Sequence, residues 1–227
     1  MNILGKLIAI DGVDASGKET HCGLLYEKLK NDGETVKRIS FPMYQSPSSE
    51  LVKMYLSGDF GENPDDVNAY AASSLFAADR FASFRTDWGK DYKNGSIIIA
   101  DRYVSANMIH QASKLGECEK NRFLDWLDSF EYEIYELPRP DITIFLDMPP
   151  EYGIKLMAER DNKFSHESKK DIHERNSEYL EKSYKNACMI ADKYAWERIS
   201  CVKDGQIRTI DDINNEIYIK VKKVLSK

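Results

Sequence analysis

The chain has 227 residues, a hydrophobic fraction of 42% and a formal net charge of −6. This length fits one α/β domain with a hydrophobic core, and the negative charge argues against nucleic acid as the main partner. The apolar run Ile97–Ala100 is far too short to cross a membrane. Because the sequence leads almost at once into a strand, we expect no signal peptide. The four cysteines are scattered without zinc spacing, as is typical of reduced thiols in a cytoplasmic protein.

The most informative motif is a glycine-rich stretch between a predicted strand, Lys6–Asp11, and a predicted amphipathic helix, Lys18–Asn31. Its spacing matches the Walker A phosphate loop up to the last position. In such a loop the backbone N–H groups surround a phosphate, and the positive end of the helix faces it. Lys18 is predicted to reach the β- and γ-phosphates. The predicted ATP-binding residues are Gly12, Val13, Asp14, Ala15, Ser16, Gly17, Lys18, Glu19 and Thr20.

One residue departs from the Walker A pattern. Glu19 replaces the usual serine or threonine, and the hydroxyl of Thr20 comes one residue late. A carboxylate cannot act as the hydroxyl ligand of magnesium, so the pattern leaves that contact open. The alternative is a glycine-rich turn with a chance lysine, but the flanking strand and helix are those that the phosphate loop requires.

Strands and helices alternate along the rest of the chain. Further strands are predicted at Thr35–Ser40, Ser96–Ala100, Ile142–Leu146 and Glu197–Val202. Further helices are predicted at Ser48–Leu56, from Asn63 to about Trp88, at Ser105–Leu115 and Lys120–Tyr135, from Pro150 onwards, from Asp171 to Tyr194 and at Ile210–Leu225. This alternation predicts a single α/β domain, residues 1–227, with a five-stranded parallel sheet flanked by helices as in P-loop NTPases. Residues 160–170 break the pattern and are expected to form a lid or an inert loop.

Charged and aromatic residues follow the predicted strands, at the edge where open α/β sheets bind ligands. Phe41-Pro42 and Tyr44 follow the second strand, and Asp101-Arg102 follows the third. Asp101 is placed to hold magnesium, usually through water, and Arg102 offers a planar fork suited to phosphate. The alternative is an internal ion pair between Asp101 and Arg102.

Two pairs of residues lie four apart on predicted helices, so each pair shares a face. Phe76 pairs in this way with Arg80, and Asn107 with Gln111. From spacing alone, a core phenylalanine beside a solvated arginine is the simpler interpretation of the first pair.

Taken together, these motifs resemble those of thymidylate kinases, in the same order and over nearly the whole chain. They are Gly12-x-Asp14-x-x-Gly17-Lys18-x-Thr20, Phe41-Pro42, Leu75-Phe76-x-x-x-Arg80, Asp101-Arg102-Tyr103, Leu146-Asp147 and Asp171-x-x-Glu174. The resemblance implies transfer of the γ-phosphoryl group of ATP to dTMP, giving ADP and dTDP, with Mg²⁺ as cofactor. It also implies a homodimer. We expect no nucleic-acid or membrane partner.

The resemblance also assigns roles to residues. Lys18, Asp14 and Arg102 would be catalytic, and Phe76 would stack on thymine while Arg80 donates to a thymine carbonyl. Tyr103 would crowd the 2′ position and favour deoxyribose. The implied dTMP-binding residues are Phe41, Tyr44, Phe76, Arg80, Arg102, Tyr103, Asn107 and Gln111.

Several positions depart from the family pattern. Ala15 stands where some members have an arginine in the phosphate loop, so Arg160 of the lid is predicted to supply that cation. Met43 replaces a frequent arginine, His110 a frequent tyrosine and Tyr184 a common arginine. These departures leave two alternatives open. One is a kinase for another deoxynucleoside monophosphate or a deoxynucleoside, and the other is a non-catalytic regulator that binds ATP.

Overall fold

A computed structural model describes residues 4–163, 172–173 and 177–226 of the protein, and for residues 157–163 and 177 only the backbone. It confirms the predicted five-stranded parallel sheet, whose strand order is β2-β3-β1-β4-β5. The strands are β1 (Leu7–Asp11), β2 (Val36–Ser40), β3 (Ile97–Asp101), β4 (Ile142–Asp147) and β5 (Glu197–Ser200). Because all the strands are parallel, their carboxyl ends share one edge. The chain order reverses beside β1, which is where such sheets open a ligand-binding crevice.

Helices cover both faces of this sheet. In the described ranges they are α1 (Lys18–Asn31), α2 (Glu50–Ser57), α3 (Ala69–Ser83), α4 (Gly89–Lys93), α5 (Val104–His110), α6 (Glu117–Asp128), α7 (Pro150–Lys163), α8 (Ser177–Lys193) and α9 (Ile210–Leu225). A small antiparallel hairpin, β6 (Val202–Lys203) with β7 (Gln206–Ile207), follows β5. None of the helices in the described part of the chain combines the length and apolar character that crossing a membrane requires.

The core consists of two main layers because side chains of a strand alternate between the faces of the sheet. On one face, Ile8 and Ile10 of β1 pack with α1 and α9, which contribute Leu25 and Ile217. On the other face, Leu7 and Ala9 pack with residues of α5 and α6. Both layers are fully buried at these positions, and together they fix the carboxyl edge of β1 at the centre of the molecule.

The single helix predicted from Asn63 to Trp88 is wrong. Pro64–Asp66 form one 3₁₀ turn, and Val67 then takes an extended backbone with φ −111° and ψ 120°. Helix α3 begins after Asn68, whose side chain accepts a hydrogen bond from the Ala71 N–H at 2.9 Å. The cap that starts α3 therefore lies five residues beyond the first capping signal. After Ser83 the chain continues through a π-helical turn, Phe84–Trp88.

The helix predicted to begin at Asp171 also starts later. Ile172 and His173 form a turn, and the Ile172 N–H donates to the Leu56 carbonyl at 3.2 Å. This hydrogen bond ties the turn to α2, and the described part of α8 is Ser177–Lys193. Helices α5 and α6 likewise end before the predicted bounds, at His110 and Asp128, and continue as a 3₁₀ turn and a π-helical turn.

Candidate active site

The phosphate loop runs from the end of β1 to the start of α1. A Cβ on Gly12 would lie 2.9 Å from the Leu146 carbonyl oxygen, so only glycine fits beside β4. Ala15 and Gly17 take left-handed backbone torsions, with φ of 58° and 83°. The loop therefore curls back on itself before α1 begins at Lys18, with the shape that lets successive N–H groups face an anion.

Lys18 is buried and folded back on this loop. Its ammonium donates to the Val13 carbonyl at 2.7 Å and lies 3.4 Å from the Ser16 hydroxyl. Burial, aided by the charge of Arg102, lowers the pKa of Lys18 to about 8. No carboxylate of the described residues pairs with it within salt-bridge distance. The site therefore holds a cation that an anionic ligand would stabilise.

Arg102 connects the end of β3 with the phosphate loop. Its φ of 65° turns the chain, and its Nη2 donates to the Asp14 carboxylate. Its Nη1 donates to His110 Nε2 at 3.0 Å. Burial alone would raise the pKa of Asp14, but the charges of Arg102 and Lys18 outweigh it and hold that pKa well below its usual range. Burial and Arg102 depress the pKa of His110, so the imidazole is a neutral acceptor. The ion pair of Arg102 is thus with Asp14, rather than with the adjacent Asp101.

Two buried carboxylates lie at the ends of β1 and β3. Asp11 is occupied by protein groups, because it accepts from the Gly12 N–H at 3.0 Å and from the Ser105 hydroxyl at 2.8 Å. Asp101 is 8% exposed, and burial raises its pKa. No described residue donates a hydrogen bond to its carboxylate. Glu19 and Thr20 are exposed on the first turn of α1.

The carboxyl edge of the sheet offers few side chains that could bind a metal ion. The described residues contain no cluster of three or more histidine, cysteine or acidic side chains suited to a metal. Magnesium in phosphoryl-transfer sites typically takes one or two protein carboxylates and completes its shell with phosphates and water. The unengaged carboxylate of Asp101 fits that requirement, whereas Asp11 is already satisfied by its two donors.

A pocket opens beside the phosphate loop and encloses about 530 Å³, including the part open to solvent. Its wall includes Asp14 of the phosphate loop. It also brings together all but one of the predicted dTMP-binding residues, namely Phe41, Tyr44, Phe76, Arg80, Arg102, Asn107 and Gln111. Tyr103 is not among them. Its side chain is fully buried in the core, and its hydroxyl donates to the Pro138 carbonyl at 3.0 Å.

The polar wall of the pocket is held by a carboxylate that the sequence analysis missed. Glu131 is fully buried and accepts from Arg80 Nε and Nη2, each at 2.6 Å. It also accepts from Asn107 Nδ2 at 3.2 Å. Arg80 is only 1% exposed, so the solvated arginine expected from spacing alone is wrong. The sequence held a sign of this burial. Glu131 lies four residues after the core residue Leu127, so helical spacing places it on the same buried face.

Asp79 is a second missed carboxylate, on α3 one residue before Arg80. It is 1% exposed and accepts from the Met43 N–H at 2.8 Å and from the Ser48 hydroxyl. These hydrogen bonds fix the loop after β2 that carries Phe41 and Tyr44. A buried aspartate next to a buried arginine cannot be distinguished from a solvated pair by sequence spacing alone.

Two histidines also line the pocket, and neither was predicted to. His110 and His173 stack with 6.0 Å between ring centroids and 17° between planes. Lys114 donates to the Tyr55 hydroxyl at 3.0 Å, and the same hydroxyl shares a hydrogen bond of 2.9 Å with His173 Nε2. His110 was noted only as a departure from the family pattern, and His173 was predicted to lie in the first turn of a helix, with no spacing to mark it as a pocket residue.

The predicted lid falls mostly outside the described residues. Residues 164–171 lie outside them, and α7 carries Arg160 as backbone only. The predicted role of the Arg160 side chain therefore remains a prediction.

The sheet order, the phosphate loop after the central strand and the adjoining polar pocket define a P-loop nucleotide-binding phosphotransferase. Comparison with known proteins narrows this class. A family model described as Thymidylate kinase matches residues 10–203, so the chain belongs to the thymidylate kinase family.

Relatives from bacteria and archaea support this membership. A thymidylate kinase of Mycobacterium tuberculosis H37Rv is 33% identical over 146 residues, covering 64% of this chain and 67% of the relative. One from Halothermothrix orenii is 27% identical over 224 residues, covering 98% and 99% of the two chains. A probable thymidylate kinase of Methanothermobacter thermautotrophicus is 30% identical over 151 residues, covering 65% and 67%.

Proposed function

We propose that the protein transfers the γ-phosphoryl group of ATP to dTMP, giving ADP and dTDP. One observation carries the proposal: Asp14 of the phosphate loop and Arg102 line the same pocket as Phe76, Arg80 and Asn107. A nucleotide whose base lies against the second group therefore has its phosphate near the first. Family membership supports dTMP as that nucleotide.

The pocket wall offers groups that complement thymine. Phe76 presents an aromatic ring, supported edge-on by Tyr55 at 6.0 Å between centroids, on which a base can stack. Arg80 Nη1 has no partner among the described residues and can donate to the 4-oxygen. Gln111 Oε1 is buried without a donor in the described part of the chain, and Asn107 Oδ1 also remains available, so an acceptor exists for the N3–H.

The charged groups supply what phosphoryl transfer requires, which is positioning and neutralisation of charge. The loop amides and Lys18 would bind the ATP phosphates, and Arg102 would bind the acceptor phosphate. Asp101 would hold Mg²⁺, which neutralises phosphate charge when bound. Asp14 would then keep Arg102 oriented through the contact described above. Arg160 would add a further cation, and Arg160→Ala should lower turnover far more than dTMP affinity.

Family membership also bears on the domain organisation, the oligomeric state and the cellular location of the protein. We infer one domain spanning residues 1–227 with a lid near residues 160–170, a homodimer and a cytoplasmic location. These inferences are supported by the family resemblance. Light scattering of the purified protein tests the dimer, because a monomeric mass of 26.1 kDa at micromolar concentration would reject it.

An ADP-release assay with ATP and Mg²⁺ tests the function. The acceptors are dTMP, dUMP, dCMP, dGMP and thymidine, each varied to saturation. We expect the highest kcat/KM with dTMP. Selective turnover of a different acceptor would leave the phosphate-binding roles of Lys18 and Arg102 in place but reject the base-binding roles of Phe76 and Arg80. ATP binding without turnover of any acceptor would reject the proposal that the protein is a kinase.

A further inference from the structure

We propose that Glu131 is a positioning residue that fixes which groups on the pocket wall donate and which accept hydrogen bonds, and thereby excludes cytosine. This inference rests on the proposed function, because it concerns how the acceptor base is selected. Glu131 itself does not line the pocket, so it acts through the two residues that it holds.

The contacts of Glu131 form a closed arrangement. Oε2 accepts from Arg80 Nε and Oε1 accepts from Arg80 Nη2, both at 2.6 Å. Oε1 also accepts from Asn107 Nδ2 at 3.2 Å. A forked pair of this kind locks the plane of the guanidinium. Since two of the donor nitrogens of Arg80 are engaged, Nη1 is the nitrogen that remains for a ligand.

The same carboxylate determines the orientation of the Asn107 amide. Nδ2 donates to two groups that can only accept, Glu131 Oε1 and the Ser73 carbonyl, each at 3.2 Å. Rotating the amide by half a turn would place Oδ1 against both acceptors, with no hydrogen to share. Asn107 therefore presents Oδ1, an acceptor, as its remaining polar atom.

The part of the wall that Glu131 orients therefore offers one donor, Arg80 Nη1, and one acceptor, Asn107 Oδ1. Thymine and uracil have an acceptor at position 4 and a donor at N3, so both groups match. Cytosine has an amino donor at position 4 and an unprotonated acceptor at N3. Its amino group would face the donor Arg80 Nη1, and its N3 would face the acceptor Asn107 Oδ1. A polar site built for one pattern rejects a mismatched partner strongly, because buried groups are left unpaired.

The test compares kcat/KM for dTMP, dUMP and dCMP in the wild type and in Glu131→Gln. Glutamine has one oxygen for three donors and no negative charge, so it cannot engage Arg80 and Asn107 together, and the Ser73 carbonyl alone is left to orient the Asn107 amide. We expect the dTMP-to-dCMP ratio of kcat/KM to fall roughly ten-fold or more. The dTMP-to-dUMP ratio should stay within about two-fold, because both bases share the same polar edge. A merely structural defect would lower kcat/KM for all three acceptors by a similar factor.

Two further variants make the experiment decisive. Glu131→Asp keeps the charge that buried Arg80 requires but is one methylene too short to reach both partners, so it should shift the dCMP ratio in the same direction even if the glutamine variant unfolds. Glu133→Gln is the matched control, because Glu133 is an exposed residue of the same helical turn and should change neither ratio.

The outcomes separate the two proposals. If the wild type uses dTMP but every folded Glu131 variant keeps the wild-type dTMP-to-dCMP ratio, the role of Glu131 is rejected and the kinase assignment stands. If the wild type does not phosphorylate dTMP, the proposed function fails, and the inference fails with it.

Discussion

Exchanging Arg80 for methionine should destabilise the protein strongly. Glu131 is fully buried and Arg80 is 1% exposed, so the variant would leave a carboxylate in the core without its counter-charge. Breaking one partner of such a pair typically costs about 3–5 kcal/mol, because the remaining charge is not solvated. For a chain of this length 1 kcal/mol corresponds to about 2–4 °C, so the melting temperature should fall by about 6–20 °C.

The double variant Arg80→Met/Glu131→Met provides the control. It removes both charges and fills their volume, and replacing a buried pair by apolar groups is often nearly neutral. Asn107 would keep its hydrogen bond to the Ser73 carbonyl. We therefore expect the double variant to be at least about 2 kcal/mol more stable than Arg80→Met in urea unfolding. A loss below about 1 kcal/mol in the single variant, or a double variant less stable than the single, would refute the reasoning.

Three further predictions concern the phosphate loop, the buried histidines and the loop after β2. Lys18→Met should lower turnover about a hundredfold or more without lowering the urea midpoint of the nucleotide-free protein, because burying the Lys18 ammonium costs free energy. A lower urea midpoint for the variant would contradict this. Burial lowers the pKa of His21 to about 4, that of His173 to about 3 and that of His110 well below its usual value. The unfolded chain therefore binds more protons below pH 6.5, and the free energy of unfolding should fall between pH 6.5 and 5 by up to about 1.4 kcal/mol per pH unit for each histidine; pH-independent urea midpoints would contradict this. Asp79→Ala should raise the KM for dTMP more than it lowers kcat, and an unchanged KM in steady-state assays would contradict the anchoring of that loop.

Much of the fold could be predicted from local sequence signals. The glycine loop, the unbroken apolar strand at Ile97–Ala100 and the alternation of strands and helices predicted the parallel sheet, which the structure confirms. Boundaries were less predictable where two signals competed, as when the cap at Asn68 replaced the earlier start at Asn63.

The polar supports of the site could not be predicted in the same way. Phe76, Arg80 and Asn107 carry recognisable spacing, but Glu131 and Asp79 act through contacts between residues 24–51 positions apart in the chain. Sequence spacing reports neighbours along one element, whereas hydrogen bonds across elements depend on how those elements pack. Tyr103 shows the opposite case, because its motif position suggested the pocket while its packing against the core places it elsewhere.

The most direct test of the central claim is to quantify both products of a single reaction by chromatography. The purified protein is incubated with ATP, Mg²⁺ and dTMP, and the Lys18→Met variant is treated identically. We predict that the wild type forms ADP and dTDP in equal amounts, that omitting dTMP abolishes most ADP formation, and that the variant forms little of either. ADP formed without dTDP would contradict the account, because the protein would then hydrolyse ATP rather than transfer its phosphoryl group to the proposed acceptor.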